Sequence, residues 1–259
     1  FVISGYLIMG LILKDIDLHQ FSLVNFWERR IRRILPALLV VLIFVMTSSW
    51  FLLLPDAFKA LGKSIVFLAT LISNVYFWRD TGYFAAAAEE RPLLHTWSLA
   101  VEEQFYLFLP ILVLTAARYC SKRIVFFLLV AAALLSFIGS VYGVAHHPSA
   151  TFYLLPTRMW ELLAGSLLAF YPNALGLLPT NLSRSAGSLI GIGLVVVPCL
   201  AYDETTPFPG ITAIPPVLGT VLLIAAGGNS LTPTVNRILS GRPVVFVGLI
   251  SSSLYLWHW

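Results

Sequence analysis

The sequence predicts an all-α, polytopic transmembrane helix bundle of about eight membrane segments, one of them partial and one re-entrant or interfacial. Three observations carry that expectation. Hydrophobic residues make up 59% of the chain and charged residues 11%, with a mean hydropathy of +0.89, too apolar for folding around one soluble core. Apolar runs recur along the whole length between short polar stretches, and a span needs roughly 20 such residues. Basic residues cluster where those runs end, as they do on the cytoplasmic side of membrane proteins. No stretch is polar enough for a sizeable soluble domain, so residues 1–259 read as one membrane domain.

Phe1–Leu13 is too short to span at about 1.5 Å per residue and reads as the cytoplasmic half of a helix. There is no initiator methionine or signal peptide, and Trp259 falls inside an aromatic run, so the chain is expected to be a fragment truncated at both ends. Lys14–Arg33 is expected as a polar loop ending in Arg29, Arg30, Arg32 and Arg33, just before the apolar run Ile34–Leu54. Ala57–Trp78 is weaker, carrying Lys59, Lys63, Ser73 and Asn74. Arg79–Arg91, with Glu89 and Glu90, reads as an exposed loop. A central helix follows over Leu93–Ala117, and Pro110 within it removes one backbone hydrogen bond and should kink it.

Arg118, Lys122 and Arg123 form a second basic cluster, after which Ile124–Ala145 is a clean span. His146–Thr157 is expected as a loop and Arg158–Tyr171 as a span. Pro172–Ser185 is a loop, Ala186–Tyr202 a span, Asp203–Thr212 an acidic, proline-rich loop and Ala213–Gly227 a further span. Gly228–Pro243 holds Arg237 and Arg242, and the last span begins at Val244.

Each span flips the side of the membrane, so parity constrains this order. With both arginine-rich clusters cytoplasmic, Ile34–Leu54 ends outside and the central helix must start there. Ala57–Trp78 therefore cannot be one ordinary span. It is expected to be re-entrant, interfacial or a bent pair of half-helices, which are tolerated where backbone lines protein or water. With that choice, 11 of the 16 basic residues fall inside. The net charge of +4 and pI of 9.2 are then explained by topology, without nucleic acid. The two cysteines, Cys120 and Cys199, have no metal-like spacing and read as unpaired.

Two polar constellations could carry chemistry. In HTWSLAVEEQFYLFLP, residues His95, Ser98 and Glu102 share one helical stripe, with Glu103 and Tyr106 beside it. A carboxylate in hydrocarbon costs roughly 2.5–3.5 kcal/mol even on the lenient insertion scale, so two in a row should face a cavity. His95, Ser98, Glu102 and Glu103 could supply general base, hydrogen-bond donor and charge stabiliser for a transfer reaction. The alternative is a buried network that locks helices together. Arg30 and Arg33 could bind phosphates through guanidinium forks, or could simply anchor a helix on the cytoplasmic side. Arg158 and Glu161, three residues apart, suit a structural ion pair. Ser4 and Gly5 suit close helix packing. His258 between Trp257 and Trp259 fits an interfacial aromatic belt or a site, while His146 and His147 are most simply loop residues.

The blocks FVISGYLI, RRIRRILP, HTWSLAVEEQFYL, RMWELLAG and GLISSSLYLWHW, in this order and over nearly the whole chain, resemble the membrane acyltransferase-3 family and its polysaccharide O-acyltransferase branch. The resemblance implies a bundle in a bacterial inner membrane. It would move an acyl group, usually acetyl from acetyl-CoA in the cytosol, to a hydroxyl of a surface glycan or lipid-linked sugar on the far side. It implies coenzyme binding at Arg30 and Arg33, no metal, and recurrent polar positions at His95, Trp97, Ser98, Glu102, Glu103, Arg158, Glu161, Tyr255 and His258. It also implies a first helix, bearing an arginine and a histidine central to acyl transfer, that would precede Phe1. The rival readings are a transporter or flippase for a polar or lipid-linked substrate, which predicts two related halves, and a sensor or scaffold. Only one odd segment is visible in the sequence, against the first rival.

Overall fold

The computed structural model describes residues 1–80, 91–170, 178–203, 205–227 and 233–258, and within them the chain is helical, with no strand. The helices are α1 (Val2–Asp17), α2 (Leu23–Leu52), α3 (Pro55–Ala69), α4 (Ser73–Arg79), α5 (Thr96–Tyr119), α6 (Lys122–His146), α7 (Pro148–Tyr153), α8 (Leu155–Phe170), α9 (Asn181–Ala201), α10 (Ile214–Ala226), α11 (Thr234–Leu239) and α12 (Arg242–Trp257). A 3₁₀ turn, Gly210–Ala213, leads into α10. Four of them, α2, α5, α6 and α9, are long and apolar enough to cross a membrane by themselves. The shorter apolar helices complete a helical membrane bundle. Its outer surface is apolar, with Phe51, Leu52 and Leu200 each more than 79% exposed, as lipid-facing side chains are.

Several boundaries differ from the sequence expectation. Lys14–Arg33 is not a loop: only Leu18–Ser22 separates α1 from α2, and all four arginines lie inside α2. Arginine is a good helix former. Here Glu28 pairs with Arg32 one turn on at 2.6 Å, and Asp15 with Arg29 at 2.7 Å, so the charges support the helix rather than break it. The central helix starts at Thr96, with His95 as its N-cap. His146–Thr157 contains α7, begun by Pro148 at a position where proline's missing N–H costs nothing. The expected loops Pro172–Ser185 and Gly228–Pro243 contribute the start of α9 and the whole of α11, and α12 begins two residues earlier, at Arg242. The parts of Arg79–Arg91, Pro172–Ser185 and Gly228–Pro243 at 81–90, 171–177 and 228–232 lie outside the described residues. In the acidic loop, Asp203 accepts from the Thr205 hydroxyl and amide and from Thr206, which holds its carboxyl below the usual carboxylate range.

Side-chain contacts fix which helix ends lie together. Asp15 and Asp17 at the end of α1 pair with Arg29 of α2 and, at 2.9 Å, with Lys122 of α6. Phe126 of α6 packs on Phe170 of α8 with ring centroids 5.9 Å apart. The two arginine-rich clusters thus share one end of the bundle, the basic end. At the opposite end Tyr255 of α12 donates to the His95 carbonyl at 2.6 Å. The odd segment is a bent pair of helices, α3 and α4, broken at Thr70–Ile72 with Leu71 at φ 59°. It descends from the far end and returns there, where Arg91 meets Asp80 at 3.1 Å. Its inner tip is satisfied by α5: Gln104 donates to the Leu71 carbonyl and to Asn74 Oδ1, both at 2.8 Å, and Ser73 donates to the Thr96 carbonyl. These bonds tie the break between α3 and α4 to the central helix.

The tightest crossing joins α1 and α8. A Cβ on Gly5 would stand 1.8 Å from the Leu162 carbonyl oxygen, and one on Gly165 would stand 1.9 Å from that of Val2. Ser166 adds a hydrogen bond to the Gly5 carbonyl at 3.1 Å. This is the small-residue contact that membrane helices use for close approach, and it holds the start of α1 against the bundle centre.

Candidate active site

A cavity of about 610 Å³, a size typical of ligand sites, opens between α1, α2, α5 and α12. Along α5 its wall carries Ser98, Glu102, Glu103 and Tyr106; α2 contributes Arg30 and Arg33, α1 contributes Ser4, and α12 contributes Ser251, Ser252 and Tyr255. The cavity therefore reaches from the arginines toward the end at which Tyr255 meets the His95 carbonyl. Four helices from distant parts of the chain have to pack before it exists.

The two glutamates have different surroundings. Glu102 is held by two hydroxyls, with Ser4 donating to Oε1 at 2.9 Å and Tyr106 donating to Oε2 at 3.0 Å. The Arg30 guanidinium lies over the Tyr106 ring, 4.9 Å from its centre, and so links the arginine wall to that carboxylate. Trp27 fixes the same turn by donating to the Tyr106 carbonyl at 3.4 Å. Glu103 Oε1, in contrast, is shielded from solvent and accepts no hydrogen bond among the described residues. A carboxylate with both oxygens engaged is suited to orient its neighbours. One with a free oxygen beside a cavity can accept a proton from a bound hydroxyl.

At the far end, the Ser98 and Tyr255 hydroxyls form a very short contact, and Tyr255 also donates to the His95 carbonyl at 2.6 Å. His95 is 5% exposed and does not line the cavity. Its ring packs edge-on to Tyr255 and to His258, with centroids 5.4 and 5.3 Å apart. The stripe expected from helical periodicity is therefore split: Ser98 and Glu102 face the cavity, whereas His95, one residue before the helix, is turned onto the last turn of α12. His258 stacks on Tyr255 at 5.1 Å.

Trp97, Arg158 and Glu161 form a separate cluster. Arg158 pairs with Glu161 at 3.0 Å, and both are 5% exposed. The Arg158 guanidinium sits among the rings of Phe208, Phe1, Trp97 and Phe152, at 5.0, 5.2, 5.7 and 5.8 Å. Glu161 borders a smaller cavity of about 220 Å³. Of the residues singled out from sequence, the structure brings Arg30, Arg33, Ser98, Glu102, Glu103 and Tyr255 to the main cavity. It leaves His95, Trp97, Arg158, Glu161 and His258 outside its walls.

Sequence reasoning missed Ser4 as a partner of Glu102, and it placed Tyr106 beside the stripe without assigning it a bond. The spacing of Tyr106, four residues from Glu102, is a signal for that contact. The Ser4 bond joins residues 98 apart and leaves no local trace. Among the described residues no three His, Cys, Asp or Glu side chains gather as metal ligands would.

A family model described as an acyltransferase domain matches residues 1–259. A Haemophilus influenzae protein, called only an uncharacterized protein, is 36% identical over 86% of this chain and 95% of its own length. A Staphylococcus aureus strain COL protein named as a "Putative O-acetyltransferase" is 36% identical over the whole chain, which spans 44% of that relative. The peptidoglycan O-acetyltransferase of Listeria monocytogenes is 31% identical over the whole chain, which spans 43% of it. No solved structure matches.

Proposed function

We propose, since this chain belongs to the acyltransferase-3 family, that it forms the membrane part of an O-acyltransferase moving an acyl group, in the first instance acetyl, from a cytosolic acyl-CoA to a hydroxyl of a cell-envelope glycan. The observation that carries this reading is the single cavity with Arg30 and Arg33 on one wall and Ser98, Glu102, Glu103 and Tyr255 along the rest. Guanidinium forks suit the coenzyme's phosphates, and the basic end suits the cytosolic face. The names of the staphylococcal and listerial relatives support acetyl as the acyl group and peptidoglycan among the acceptors. A bacterial plasma membrane is the location that fits such a substrate.

In this reading Glu103 takes the proton of the acceptor hydroxyl as its oxygen attacks the acyl carbonyl. The carbon–sulfur bond breaks, and the proton passes on to the departing thiolate. Glu102, anchored by Ser4 and Tyr106, fixes the helix turn on which Glu103 sits and holds Tyr106 beneath Arg30. Ser98 and Tyr255, bonded to each other and to the His95 carbonyl, present hydroxyl oxygens toward the end where a glycan would enter.

The test uses the protein expressed from its whole reading frame and reconstituted in vesicles with labelled acetyl-CoA. Arg30→Ala and Arg33→Ala should each weaken acyl-CoA binding about 10- to 150-fold, the equivalent of one charge-assisted hydrogen bond. Lysine should rescue only in part, because it lacks the fork. Unchanged affinity in both alanine variants at normal membrane level returns the arginines to topology signals. Passage of a lipid-linked sugar without transfer of label would establish the transporter reading instead.

A further inference from the structure

Gly248 faces the main cavity from the middle of α12. A Cβ at this position would meet nothing within 4 Å, whereas one on Gly5, Gly165, Gly191 or Gly219 would run into the backbone of a neighbouring helix. Close packing therefore does not account for this glycine, and its backbone is not in the left-handed region that favours glycine. Glycine is also a poor residue inside a helix. Among the described residues Gly10, Gly62, Gly139 and Gly193 have open space as well. Of these five, Gly248 is the one on the wall of the main cavity.

Helical rise fixes how deep that space lies. The Ser98 and Tyr255 hydroxyls meet at the far end. From their level Glu103, five residues along α5, is about 7 Å deeper, and Gly248, seven residues back along α12, is about 10 Å deeper. Ser4 meets Glu102, four residues on from Ser98, so Leu7, three residues beyond Ser4, also comes to about 10 Å. Ile34, four residues on from the Arg30 that lies over Tyr106, comes to about 6 Å. All four thus lie within about one helical turn of each other in depth. The charged part of the wall there is Glu102, Glu103 and Arg33, and the apolar part is Leu7, Ile34 and the bare backbone at Gly248. The Ser251 hydroxyl donates back to the Gly248 carbonyl at 2.8 Å, so its proton is already committed.

An acyl carbon attacked beside Glu103 carries a sulfur, an oxygen and an alkyl group. The sulfur leads back to the coenzyme and so to the arginines, and the oxygen is served by polar groups. The alkyl group needs apolar room at the depth of Glu103. We propose, resting on the acyltransferase reading above, that Gly248 sets the size of the acyl group transferred: the space at its Cα receives the alkyl part of the donor's acyl chain, against Leu7 and Ile34.

The experiment compares the affinities of acetyl-, propionyl- and butyryl-CoA for the protein expressed from its whole reading frame, by isothermal titration in detergent. The unaltered protein should bind each longer donor about fourfold more tightly per added CH₂. Gly248→Val should abolish that gain and make butyryl-CoA weaker than acetyl-CoA by about tenfold. Gly248→Ala, which adds a single methyl group and favours helix, should remove about one CH₂ step of the gain. Gly193→Val, in open space on α9 and off the cavity wall, should keep all of it. No gain with chain length in the unaltered protein, or a gain that survives in full in either Gly248 variant, overturns the assignment while acetyl-CoA binding leaves the acyltransferase reading standing. An unaltered protein that binds none of the three donors overturns both.

Discussion

The Tyr106 hydroxyl donates to Glu102 Oε2 at 3.0 Å, one helical turn away on α5. Because Ser4 holds the other oxygen of the same carboxylate, Glu102 is a fixed point of the cavity and Glu103 is the glutamate with an oxygen to spare. The two side chains, adjacent in sequence, should therefore fail in different ways when altered.

Glu103→Gln should cut glycan acetylation by about 10²- to 10⁴-fold, the usual worth of general acid–base help, with membrane level unchanged. Glu102→Gln and Tyr106→Phe should each act by loosening that anchor. The loss of one hydrogen bond to a charged group, about 1.5–3 kcal/mol, should show in thermal stability as well as in rate. Acetylation assays normalised to protein in the membrane, paired with melting in detergent, separate the two patterns. Equal loss of activity in Glu102→Gln and Glu103→Gln with no change in melting would remove the distinction drawn here.

Gly5→Ala and Gly165→Ala should lower the level of folded protein, since each added methyl meets a backbone carbonyl that cannot rotate away. Overpacking of this kind costs about 1–3 kcal/mol. Normal abundance and melting of both variants would mean that α1 and α8 cross less closely than described. Gly10→Ala is the control, having open space around it.

The side of the membrane on which each end lies is open to labelling. Both native cysteines are free and can be replaced by serine. An impermeant maleimide should then label Asp203→Cys in intact cells, and Asn25→Cys, at the basic end, only after lysis. The reverse pattern would invert the bundle and place the arginine wall away from cytosolic acyl-CoA.

Much of the architecture was legible because the bilayer restricts what a chain can do. Apolar runs mark spans, and parity between two arginine clusters rules out one ordinary span over Ala57–Trp78, where the structure has the two shorter helices α3 and α4. The start of α2 was not legible, because a run of arginines reads as polar although arginine favours helix and its charges find Asp15 and Glu28. For the site, the residues on α2 and α5 could be named from motif and spacing. Which of them line the cavity depends on contacts made across the chain, such as that of Tyr255 with the His95 carbonyl 160 residues away. Periodicity placed His95 with Ser98 and Glu102. The docking of α12 took it out of their company.

The Arg158–Glu161 pair decides between a structural and a chemical role for the RMWELLAG segment. Both groups are 5% exposed and 3.0 Å apart, and the guanidinium is wrapped by four aromatic rings. Removing one partner of a buried pair strands the other at a cost of about 3–5 kcal/mol, whereas replacing both with apolar groups is often neutral. Arg158→Met and Glu161→Leu should thus each deplete the protein from the membrane, and the double variant should restore it. A purely structural pair predicts that acetylation per molecule returns with abundance. Abundance restored without acetylation would show instead that Glu161, at the edge of its own 220 Å³ cavity, takes part in the reaction.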